Sequence, residues 1–264
     1  MTHPLALWDF DDPAGSRARF AAAAEAEQDP GRRRVWLTQV ARAHGLAGEY
    51  AEAHAVLDTA GESGRGESGG AAGESESGRG ESGHALGEGG DAGVALERGR
   101  VLRSSGDVAG SIPLFRKAFD QALAAGERGL AADAAHMLAL VLPEEHEAWA
   151  ARGLQVAEDG VDDPLAWAMT GALLNNLGWT LAEQDRWAEA HELFDRAVGA
   201  RQRVAAAVGG KASADSLHAA RWTRARAARA LGRNEQALAE LRELDPSDPY
   251  VAEEISLLEA PRQR

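Results

Sequence analysis

Three short stretches hold residue types from which chemistry could follow. His191-Glu192-Leu193-Phe194-Asp195 opens like the zinc motif HExxH, in which two histidines one helical turn apart bind the metal and the glutamate acts as base. Here an aspartate replaces the second histidine, and Phe194 reads as a packing residue. Gly209-Gly210-Lys211 opens like a phosphate-cradling loop, but Ala212 stands where a hydroxyl should hold magnesium. Gly-Arg-Gly-Glu-Ser-Gly fits the dinucleotide pattern GxGxxG and occurs twice, within Ser63–Gly69 and again within Ser77–Gly83. Neither copy has a strand before it or a helix after it, as that motif requires. His136 and His146 fall on neighbouring expected helices and could share a metal; structural histidines are the simpler reading. The absence of cysteine removes thiolate chemistry. The expectation is a protein without catalytic residues, metal or cofactor.

The elements that would position any site are helical. The 264 residues include 57 alanines but only 15 valines plus isoleucines. Alanine is the strongest helix former and β-branched residues are weak ones. Asp12-Pro13, Asp163-Pro164 and Asp248-Pro249 read as helix starts, with aspartate capping free N–H groups and proline fitting the first turn. Gly48, Gly106 and Gly232 mark turns between apolar-periodic runs. Helices are predicted over 14–27, 33–46, 49–60, 94–105, 109–125, 128–141, 144–158, 164–183, 187–207, 212–231, 234–244 and 248–259. Short connections imply antiparallel neighbours.

Charge narrows the partners. A net charge of -14 opposes nucleic acid and anionic membranes, since both need a basic footprint. No run of 18 apolar residues exists, and Asp9, Asp11 and Asp12 occupy the start, where a signal peptide would carry basic residues; a cytoplasmic location is expected. Residues 61–93 hold 13 glycines and seven acids, with Leu86 the sole large apolar residue, and are expected to be a disordered insertion.

A repeat underlies the rest. Leu174–Ala197 carries Leu177-Gly178, Leu181, Trp187, Ala190, Phe194 and Ala197. This resembles the tetratricopeptide repeat, whose pattern is W-x2-L-G-x2-Y followed by A-x3-F. Leu174 takes the place of the tryptophan and Leu181 that of the tyrosine. Leu37–Ala60, Ala95–Ala118 and Arg221–Leu244 fit less fully, and Ala132–Gln155 is supported only by its paired pattern and Ala148. The small positions Ser111, Ala148, Ala190 and Ala237 lie 37, 42 and 47 residues apart, wider than the family's usual period of about 34. With arginine so favoured over lysine, which appears only as Lys117 and Lys211, the chain resembles a bacterial member of the family from a GC-rich genome.

What the resemblance implies is an all-α, right-handed solenoid of about five hairpins with terminal capping helices. Residues 1–30 would form an N-terminal segment and helix, with Trp8 and Phe10 stapling it to the first hairpin at 31–60. The insertion at 61–93, four hairpins over 94–247 and a capping helix with tail over 248–264 would follow. In this family the first helix of each pair lines a concave groove. Aligned by the small residues, that face carries Arg42, Arg100, Arg103, Asp133, Met137, Asn175, Trp179, Trp222, Arg226 and Arg229, with Asn176 replacing Asn175 if the register shifts by one. Arginine grips carboxylates bidentately, asparagine can bond a peptide backbone, and tryptophan offers contact area at low entropic cost. The plainer alternative pairs the arginines with acids such as Glu235 and packs the tryptophans between repeats. The resemblance thus implies a non-catalytic adaptor that binds a protein or peptide, acidic or ending in a free carboxylate. The alternative is a stand-alone sensor or regulatory partner that binds a small peptide or acidic ligand.

Overall fold

The computed structural model describes residues 2–62 and 90–260. Most of the 61–93 insertion, including both glycine-rich repeats, lies outside the described residues. Thirteen α-helices make up the described part: α1 Pro4–Leu7, α2 Pro13–Ala26, α3 Pro30–Leu46, α4 Tyr50–Glu62, α5 Gly90–Ser104, α6 Val108–Ala124, α7 Arg128–Val141, α8 His146–Glu158, α9 Pro164–Glu183, α10 Trp187–Ala207, α11 Lys211–Ala230, α12 Asn234–Leu241 and α13 Pro249–Glu259. A 3₁₀ turn, Pro143–Glu145, precedes α8. No strand occurs among the described residues.

The starts follow from their caps. Asp12, Asp163 and Asp248 each accept a backbone N–H of the first turn, from Gly15, Leu165 and Tyr250. Asp29 does the same for Arg32 with Pro30 behind it, so α3 begins three residues before its predicted start. Helix α5 begins at Gly90 rather than at 94, and its first turns bury Ala92. The single turn α1, capped by His3, was not expected from the sequence. Gly48, Gly106 and Gly232 sit at φ +76°, +99° and +75°, the left-handed region that ends a helix cheaply only at glycine. In the fourth pair Asp185 takes that position at φ +61°.

Five antiparallel pairs result: α3–α4, α5–α6, α7–α8, α9–α10 and α11–α12. The first helices of successive pairs pack side by side, α3 on α5, α5 on α7, α7 on α9 and α9 on α11. Each second helix packs on its own partner and on the next first helix. The first helices thus form one continuous layer of an all-α solenoid. Close approach within a pair depends on missing side chains. A Cβ on Gly99 would stand 2.5 Å from the Phe115 ring, and one on Gly178 would stand 2.4 Å from the Phe194 ring. Phe115, Phe194, Leu57 and Leu241 are fully buried against Ser111, Ala190, Ala53 and Ala237 positions that are equally closed. Each such large side chain contributes about 1.5–3 kcal/mol relative to exposure. The third pair corrects the alignment: Ala148 is exposed, and the buried small residue is Ala150, beside Trp149. Met137 is likewise core rather than groove lining.

Candidate functional site

Every residue expected on the inner face lies on a first helix, but they fall into two unlike groups. Arg42 on α3, Arg100 on α5 and Asn176 on α9 belong to a central polar cluster. Trp179 on α9 and Trp222, Arg226 and Arg229 on α11 belong to a C-terminal aromatic cluster. Arg103 is exposed near the end of α5, and Asn175 is half-buried beside Asn176.

The central cluster is already neutralised in large part. Arg100 donates to Glu97, one turn before it on α5, and to Asp133 on α7 at 2.5 Å. Both carboxylates are almost completely enclosed. Burial pushes the Glu97 carboxyl above its ordinary value, against the pull of Arg100 and Arg42. Asp133 faces the same burial, but the guanidiniums of Arg100 and Arg42 outweigh it and hold its carboxyl below the usual range. Burial and the repulsion of Arg100 lower Arg42. This changes the role expected of Arg100: it is an interior ion-pair hub rather than an open ligand contact. Next to it, His136 takes a hydrogen bond at its Nε2 from the Asn176 amide, at 3.0 Å. Burial lowers His136 to about 4, so the imidazole is neutral at pH 7 and carries its proton on Nδ1. The sequence pointed to both asparagines; Asn176 is the one tied into the cluster.

Arg201 joins this cluster from outside the inner layer. It sits on α10, and its side chain crosses α9 at Gly171, where a Cβ would meet the guanidino Nε at 2.7 Å. Among the described residues no carboxylate pairs with it, and burial alone lowers it to about 10. Nothing local marks this residue in the sequence, because the gap it uses belongs to another helix 30 positions earlier. Glu97 carried a weak signal in its i,i+3 spacing to Arg100.

The C-terminal cluster is a group of tilted aromatic rings with an arginine over two of them. The Trp179 and Trp222 rings lie 6.3 Å apart, and Arg226 places its guanidinium 5.3 and 5.5 Å from their centroids. Tyr250 from α13 adds an edge to Trp222 at 5.7 Å, and the Trp222 indole N–H donates to the Tyr250 carbonyl. Arg229 is bonded at 2.5 and 3.1 Å to Glu254 of α13. The plainer reading of that arginine therefore holds in kind, but its acid is Glu254 of the capping helix rather than Glu235. Arg226 stays 3.8 Å from Glu254, with 40% of its side chain exposed.

The other motifs resolve into structure. His136 and His146 turn to separate partners, Asn176 and the Ala139 carbonyl. Asp195, the residue that breaks the HExxH pattern, accepts from Arg224. Among the described residues no group of three His, Asp or Glu side chains is placed to hold a metal. Lys211, the lysine of the Gly-Gly-Lys stretch, grips carboxylates of the N-terminal segment instead of facing an open phosphate site. No described helix is long and apolar enough to cross a membrane.

Residues 170–205, most of α9 and most of α10, match the family model described as Tetratricopeptide repeat. The matched stretch is one helical pair of the solenoid, and it is similar to a tetratricopeptide repeat. Its fold is similar to that of BtubC (BKLC) from P. vanneervenii, with a TM-score of 0.56 at 15% identity over 97% of this chain and 96% of that one. A weaker likeness extends to the apo quorum sensor NprR from B. thuringiensis, with a TM-score of 0.48 and 8% identity over 95% of this chain and 64% of that one. Another extends to the TPR-like repeats of a putative kinesin light chain from Podosopora anserina, at 0.45 and 15% over 89% of this chain and 100% of that one. No curated protein shows significant sequence similarity to the chain.

Proposed function

We propose that the chain is a non-catalytic binding module whose concave face holds an extended protein or peptide segment, acidic or ending in a free carboxylate. The observation that carries this reading is the Arg226 guanidinium set over the Trp179 and Trp222 rings. Its guanidinium reaches solvent, while the nearest carboxylate, on Glu254, is already bonded to Arg229. A cation held over two adjacent indoles is oriented before a ligand arrives, so little ordering entropy opposes a bidentate contact to a carboxylate. Asn175 and Arg103 would extend the contact along neighbouring first helices. The net charge of -14 argues against nucleic acid as the ligand.

A random linear peptide library displayed on phage and panned against the full chain tests this. The selected peptides should be enriched in Asp and Glu or need a free C-terminus, and Arg226→Glu should lose them. Selected peptides that ignore Arg226→Glu, Trp222→Ala and Asn175→Ala alike would remove the concave face from the account. The second reading is a sensor of a small acidic ligand. Arg201 favours it, as a buried cation without a carboxylate partner. Isothermal titration with free acidic dipeptides would detect it, and loss of the heat in Arg201→Met would assign it.

A further inference from the structure

The N-terminal segment touches both ends of the inner layer. Trp8 is 1% exposed and lies against Phe20 of α2 at 4.9 Å, and its indole N–H donates to Gln39 Oε1 of α3 at 2.9 Å. Phe10 stacks on Trp8 at 4.9 Å yet is 45% exposed. Arg42, an inner-face residue, sets its guanidinium over both rings at 5.5 and 5.8 Å. At the other end of the array α1 packs on α11. The Ala6 carbonyl lies where a Cβ on Gly210 would come within 2.6 Å, and Gly210 has φ +83°, so no side chain fits that position. Lys211 holds Asp11 at 2.6 Å and Asp9 at 3.2 Å. A segment of ten residues thus spans from the first helix of the first pair to the first helix of the last.

The seat under this segment has a definite chemistry: a closed slot with an amide acceptor for an indole, a guanidinium above a second ring, and an ammonium for carboxylates on either side of that ring. We propose that this seat is a peptide-binding surface of the concave face, with residues 3–12 as its resident intramolecular ligand. The partner it fits is an acidic peptide that presents two aromatic residues separated by one carboxylate, as Trp8-Asp9-Phe10 does. This deepens the reading of the concave face as a binding surface and rests on it. The resident segment is short, its helix is one turn, and its acidic grip on Lys211 is solvent-exposed and screened by salt. Its tether keeps it at an effective concentration on the order of millimolar, so a free peptide competes only where the resident segment is weakened.

The test uses a fluorescein-labelled synthetic peptide of residues 2–12 and fluorescence anisotropy with the full chain. Wild type is compared with Trp8→Ala, which empties the slot, and with Asp9→Lys/Asp11→Lys, which releases the segment while leaving Gln39, Arg42 and Lys211 intact. The peptide should bind both variants at least tenfold more tightly than wild type, and a peptide of scrambled order should not. Folded variants that bind it no better than wild type overturn the proposal. So does loss of helical circular dichroism in both variants, which would make the segment a structural staple and nothing more. If the seat fails while display still selects peptides sensitive to Arg226→Glu, the proposed function stands without it. If both fail, the concave face is not the binding surface.

Discussion

The two groups on the inner layer share residue types and differ in what surrounds them. Around Arg100 two enclosed carboxylates, Glu97 and Asp133, share one guanidinium, and the neutral His136 accepts from the Asn176 amide. Around Arg226 the cation is held by two indole faces and left open to solvent. The cause is position in the array. The central helices α5, α7 and α9 have neighbours on both sides, so the carboxylates there are cut off from water and take their partner within the fold. Beyond α11 the array carries only the single-turn α1 and the capping helix, and the latter supplies one buried carboxylate, Glu254, for two arginines. An arginine on a first helix is therefore not by itself a ligand contact: Arg100 is held within the fold, whereas Arg226 reaches solvent.

The largest effect expected from this contrast is on stability. Arg100→Met leaves Glu97 and Asp133 buried without their cation and should cost about 3–5 kcal/mol, read from urea unfolding. A loss under about 1 kcal/mol would mean the central charges are solvated and the contrast false. Arg100→Glu should be worse still, which excludes it as a binding-only probe of the groove.

Acidification should act on the same region. His136 is neutral in the fold down to about 4, while the unfolded chain takes up its proton near 6.5. The unfolded state then binds more protons in that window, so stability falls as pH drops from about 6.5 towards 4, by on the order of 3 kcal/mol across the whole window. Thermal midpoints against pH should fall less steeply in His136→Asn. Identical slopes would show that the imidazole titrates freely despite its neighbours Asp133, Arg100, Arg201 and Arg42.

At the C-terminal end the expected changes are smaller. Glu254→Gln removes the carboxylate that Arg229 grips and should lower stability by about 2 kcal/mol. The same change should tighten acidic peptides, because Arg226 loses its nearest negative charge. A variant that is less stable but binds no more tightly would separate Arg226 from recognition.

Local signals were the legible ones. Asp12, Asp163 and Asp248 announce their helices because a cap needs only the next three residues, and Gly48, Gly106 and Gly232 announce turns because a left-handed residue ends a helix on its own. Asp29-Pro30 carries the same signal and starts α3 as it should. The pairing of Gly178 with Phe194 was also legible, since the repeat fixes that spacing. What the sequence left open depends on distant partners. Arg229 is satisfied by an acid 25 positions away on the last helix, and Arg201 uses a gap at Gly171 on a different helix. The third pair was misaligned by two residues because it has no glycine–phenylalanine contact to anchor the register, and Trp149 with Ala150 does that work instead. The closure of the arc by Trp8 and Lys211 joins residues about 200 positions apart, which no periodicity encodes.

The most direct measurement is a paired one. A peptide selected on wild type is titrated against Arg226→Glu, and the thermal midpoint of the variant is recorded in the same buffer. The account predicts at least a tenfold loss of affinity in a variant that stays folded at the assay temperature. Unchanged affinity with an unchanged midpoint would contradict it.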